Sequence, residues 1–124
     1  MTTALYCVLA AGLMPFLWTG VAKVSGPRYN NVNVRLWQSK LEGAAQRAHA
    51  AHLNSFEAFP LFAAAVIVAQ MMGADQARVD MLALSFIGLR LLYGIMYLAN
   101  LASLRSLVWI AALVCTVMIF ISGH

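Results

Sequence analysis

The stretch R-A-H-A-A-H-L-N-S-F-E-A-F-P-L-F, residues 47–62, opens a long apolar run and still carries Arg47, His49, His52, Asn54 and Glu57. A charged side chain at membrane depth costs about 2.5–3.5 kcal/mol on insertion scales. With Arg90 further on, Arg47 and Glu57 make three ionisable groups, which would cost roughly 9 kcal/mol if all faced lipid. A chain that tolerates them hides them in a protein interior, pairs them, or binds something with them.

Composition sets the surroundings of this stretch. Of 124 residues, 63% are hydrophobic and only 10% charged, with a mean hydropathy of +0.81. Ordinary globular chains are nearer half apolar and a quarter charged, so the composition is that of an integral membrane protein. The length allows one domain, residues 1–124. The formal charge of +4 does not indicate nucleic acid, because the basic residues form no groove-binding patch. Lys23, Arg28, Arg35 and Lys40 fall in one connecting segment, which is a topology signal. Cys7 and Cys115 sit in apolar runs without CxxC or Cys/His spacing and are expected to be packed small residues.

Working outward, residues 4–22 carry no charge and are long enough to span a hydrocarbon core of about 30 Å. Pro15 within them predicts a mild kink. The M-T-T-A-L-Y start lacks a basic signal-peptide region, so this run is expected to be a retained helix. Ser25-Gly26-Pro27 stops it. Segment 25–45 is polar and basic and is expected to be an ordered loop; its later part, from about 37, resumes helix formers that should run directly into the next helix. The predicted helices cover about 3–24, 39–72, 77–99 and 104–122, an all-α, four-transmembrane-helix antiparallel bundle. Basic residues in the first and third connections predict that both termini lie on the non-cytosolic side.

At 100° per residue, with Arg47 at zero, Asn54 falls at about −20° and Glu57 at about −80°, on one face. His49 and His52 fall near 200° and 140°, on the other. Their i, i+3 spacing lacks a third metal ligand, so packing at an interface or a subunit contact is expected. Arg90, Tyr93 and Tyr97 form a second polar stripe, and Arg105 opens the fourth helix. Guanidiniums suit carboxylates and a carboxylate suits an ammonium. The pattern therefore predicts a small zwitterionic ligand with several carboxylates, entering near the membrane surface. A drug/proton antiporter is disfavoured, because the first helix has no acid.

These residues resemble the MAPEG family, membrane-associated proteins in eicosanoid and glutathione metabolism. The resemblance rests on N-S-F-E-A-F-P at 54–60, R-L-L-Y-G-I-M-Y at 90–97, and Leu104-Arg105-Ser106 opening the fourth helix. It implies a homotrimer with glutathione bound between subunits, contacted by Asn54, Glu57, Arg90, Tyr93 and Tyr97. Arg105 would stabilise the thiolate, with Ser106 and Tyr93 beside it; a guanidinium lowers a thiol pKa from its usual value of about 8.5. Catalytic members carry an arginine one turn before the asparagine, where this chain has Ala50; Arg47, one further turn back on the same face, is expected to bind a glutathione carboxylate in its place. The implied activity is glutathione transfer to, or peroxide reduction of, lipophilic electrophiles. The alternative is a non-catalytic lipid-binding protein, since the family includes such members. The expected location is a bacterial inner membrane.

Overall fold

The computed structural model describes residues 1–123; His124, the end of the expected domain, lies outside the described residues. The fold is all-α, with helices α1 (Thr3–Ser25), α2 (Val34–Ser39), α3 (Gly43–Met71), α4 (Gln76–Leu98) and α5 (Ala102–Ser122). Among the described residues, α1, α3, α4 and α5 are long and apolar enough to cross a membrane.

Helix ends are set by local chemistry. The Thr2 side chain caps α1 by accepting from the Leu5 N–H. The Ala4 N–H donates over 2.8 Å to Asp80 Oδ1 of α4, an oxygen that also accepts from Gln76 Nε2 at 2.6 Å. A carboxylate at a helix N-terminus meets unpaired amides and the positive end of the dipole. After α3, Gly73 adopts φ +68°. The amide of Ala74 then reaches the Ala69 carbonyl at 3.0 Å, and that of Gly73 reaches Gln70 at 3.3 Å. Asn100, at φ +61°, ends α4 in the same way, with Leu101 N–H on the Met96 carbonyl at 3.0 Å. Glycine and asparagine are the residues that accept this left-handed conformation cheaply.

Helix α1 packs mainly on α3, and α4 mainly on α5; α3 also meets α5 and α4, and α1 meets α4. Alanines Ala4, Ala11 and Ala22 of α1 and Ala45, Ala48 and Ala51 of α3 are buried. Small residues let membrane helices approach closely where no hydrophobic force drives them together. Deeper in the core, Phe62 and Phe86 stack with centroids 3.9 Å apart, alongside Val66, Val79 and Ile119. Between α1 and α4, Trp18 lies over Gly94 so closely that a Cβ at position 94 would stand 1.9 Å from the indole. Only glycine fits there.

The second membrane helix starts at Gly43 and not near residue 39. A separate short helix, α2, precedes it, capped by Asn33 Oδ1 accepting from the Leu36 N–H. The cause is burial of Trp37 and Leu41 with Ala22, Ala45 and Ala48. A bend at residues 40–42 turns this pair onto the ends of α1 and α3, and Gly43 at φ +60° completes it.

Candidate functional site

The α3 and α4 polar stripes meet at Arg90. This side chain is only 3% exposed, and its Nη2 donates to Asn54 Oδ1 over 2.6 Å. Its bonded partner is therefore a neutral amide and not Glu57. The guanidinium also lies over the Tyr93 ring, 4.3 Å from Cζ to centroid. Tyr93 meets Tyr97 edge-on at 5.7 Å, and Arg105 of α5 lies over Tyr97 at 4.2 Å. Spacings of three and four residues put 90, 93 and 97 on one side of α4, so each ring can face its neighbour. Each cation–ring contact is worth about 0.5–2 kcal/mol, more when desolvated. The result is a ladder, Asn54–Arg90–Tyr93–Tyr97–Arg105, running from mid-bundle to the end where α4 finishes and α5 begins.

At the Arg90 end of the ladder opens a crevice of about 240 Å³. Its polar end is Asn54, Glu57 and Arg90; its walls include Leu61 and Phe86, with Trp109, Ala112, Leu113 and Thr116 from α5. Glu57 itself is exposed, one turn beyond Asn54. The α5 set has the spacing i, i+3, i+4, i+7 of a single helical face. That spacing is the signal that could have found these residues from sequence, where the fourth helix reads as generic apolar surface. Chemically, the crevice offers charged recognition at one end and apolar contact along the rest.

Residues 3–123 match the family model described as MAPEG family. The chain belongs to the MAPEG family. No curated protein and no solved structure matches it significantly. The MAPEG match takes in all four membrane-length helices and both polar stripes, and the protein is an integral membrane protein of that family.

Within this MAPEG chain, the structure brings together Asn54, Arg90, Tyr93, Tyr97 and Arg105, with Glu57 at the crevice. Arg47 goes elsewhere. Its Nε donates to the Leu98 carbonyl at 3.3 Å, at the C-terminus of α4, where a cation complements unpaired carbonyls. Ser106 is exposed on α5, next to the half-buried Arg105. The two histidines pack within the chain. They stack on each other at 5.6 Å, and His52 is 93% buried, being only 7% exposed. Its Nδ1 lies 2.8 Å from the Pro15 carbonyl of α1. A carbonyl only accepts, so His52 Nδ1 carries the proton and pins α3 to α1.

Proposed function

We propose that this MAPEG protein is a glutathione-dependent transferase or peroxidase acting on lipophilic electrophiles in the membrane, with glutathione held between the subunits of a homotrimer. The observation that carries the reading is the Arg90–Asn54 bond continued through Tyr93 and Tyr97 to Arg105. It fixes two guanidiniums on one line, with an amphipathic crevice opening at the Arg90 end. Arg90 supplies donors for a carboxylate, Asn54 and the tyrosines orient the peptide, and Glu57 pairs with its ammonium. Arg105 stabilises the thiolate electrostatically, while Ser106 and Tyr93 donate hydrogen bonds toward the sulfur. The thiolate then attacks an electrophilic carbon; an S–C bond forms and the leaving group departs with its electron pair. Glu57 and Ser106 are both exposed, which suits a site closed by a neighbouring subunit.

Pre-positioning by the ladder supports catalysis, because donors already in place need no reorganisation as charge develops. The apolar walls of the crevice, Leu61, Phe86, Trp109 and Leu113, support a lipophilic second substrate. Calorimetric titration of the detergent-solubilised protein with glutathione tests the reading. Millimolar or tighter binding, weakened by Glu57→Ala, is the expected result.

One observation favours a second reading, a non-catalytic lipid-binding protein. Position 50 is Ala50, and Arg47, the nearest guanidinium on that face, is held by Leu98. The site therefore has one carboxylate clamp fewer than the catalytic pattern. Absence of heat at millimolar glutathione, with lipid retained in the crevice, would favour this alternative.

A further inference from the structure

Half of the eight Lys and Arg residues lie where α1 hands over to α3: Lys23, Arg28, Arg35 and Lys40. The acid of this connection is Glu42. The segment is a folded platform. Trp37 and Leu41 are buried against Ala22, Ala45 and Ala48, and Trp37 Nε1 donates to the Pro27 carbonyl at 3.2 Å. Tyr29 stands edge-on to Trp37 at 5.1 Å and carries the Lys23 ammonium 4.3 Å above its ring. Asn30 Oδ1 accepts from the amides of Val32 and Asn33, at 3.0 and 3.2 Å.

What this platform turns outward is both cationic and apolar. Arg28, Arg35 and Lys40 are exposed. Among them Val32 is 98% exposed and Leu36 46%. Arg35 gives one N–H to Gln38 Oε1 at 2.8 Å, and a guanidinium has five. Helices α1 and α3 are membrane-length, so their ends set the platform at the level where hydrocarbon gives way to headgroups. The opposite end of the bundle differs, since its one Lys or Arg among the described residues, Arg78, stands in sequence between Asp75 and Asp80.

We propose that this platform binds the headgroups of anionic phospholipids, with Val32 and Leu36 seated at the acyl boundary. Phosphodiester oxygens accept bidentate bonds from guanidiniums. Basic clusters flanking a membrane helix attract anionic lipid by about fivefold for each cation. The exposed valine and leucine explain why a lipid fits better than a soluble anion: their apolar surface needs a partner that a phosphate ion lacks. The fixed backbone means that little ordering is required on binding. The consequence is a preference of the whole protein for anionic membrane, anchored at the same end as Arg47, Leu98 and Arg105.

The test reconstitutes the full chain with equimolar phosphatidylcholine and phosphatidylglycerol and counts the lipids retained through purification by native mass spectrometry. Phosphatidylglycerol is expected to be retained at least tenfold over phosphatidylcholine. The triple variant Arg28→Gln/Arg35→Gln/Lys40→Gln should bring the ratio close to one, while Arg78→Gln at the opposite end leaves it unchanged. Equal retention by the wild type, or an unchanged ratio in the triple variant, overturns the proposal. A salt titration of the wild type supplies an arm that no folding defect can blur. The preference should fall steeply as salt rises, and a salt-independent ratio overturns the proposal. Displacement of the lipid by equimolar inorganic phosphate would show a simple anion site and overturn it too.

Discussion

Arg90 of α4 donates a 2.6 Å hydrogen bond to the side-chain oxygen of Asn54 on α3, and this bond joins the two polar stripes of the bundle. Both residues lie in membrane-length helices, where a guanidinium without a partner is costly. The bond is therefore a structural necessity as well as the first rung of the site.

Replacing Asn54 by alanine should destabilise the protein by about 1–2 kcal/mol, the upper range for an interhelical hydrogen bond in a membrane. It should also weaken glutathione binding, because Arg90 loses its orientation. Thermal unfolding in detergent checks the first effect and calorimetry the second. An unchanged midpoint would mean that Arg90 finds another acceptor at no cost.

Gly94→Ala should be among the most damaging single-methyl changes in the chain. The added carbon would stand 1.9 Å from the Trp18 indole, so α1 and α4 must separate or the ring must move. Overpacking of this kind costs about 1–3 kcal/mol. Trp18→Leu in the same chain should recover part of the loss by making room. A double variant no more stable than Gly94→Ala alone would place the strain elsewhere.

Much of this was legible in the sequence. The apolar runs gave four membrane helices because charge is excluded from them, and 100° spacing grouped Asn54 with Glu57 and Arg90 with Tyr93 and Tyr97. What escaped depends on contacts between helices. The run from Ser39 to Gln46 has good helix formers, yet burial of Trp37 and Leu41 breaks the helix there. Arg47 shares a face with Asn54, but its length lets it reach Leu98. Likewise His52 reads as an interfacial residue until Pro15 of another helix supplies its acceptor. The closeness of Trp18 to Gly94 has no one-dimensional signature at all.

At the other end of the bundle, Asp80 holds the first turn of α1. Asp80→Ala removes the acceptor for Ala4 N–H and Gln76 and should cost about 1 kcal/mol, as loss of a helix cap does. Asp80→Asn keeps an acceptor oxygen and loses only the interaction of charge with helix dipole, about 0.3–1 kcal/mol. Hydrogen exchange at the amides of the first α1 turn should be slowest in the wild type, faster in Asp80→Asn and fastest in Asp80→Ala. Equal protection in both variants and the wild type would show that Thr2 alone caps the helix.

The most direct test of the proposed activity is the ultraviolet absorbance of the glutathione thiolate, followed as glutathione is added to the purified protein at neutral pH. A thiolate signal should develop with saturation, vanish in Arg105→Ala and require more glutathione in Glu57→Ala. The wild type giving no thiolate signal at millimolar glutathione, or Arg105→Ala giving the same signal as the wild type, would contradict the proposal.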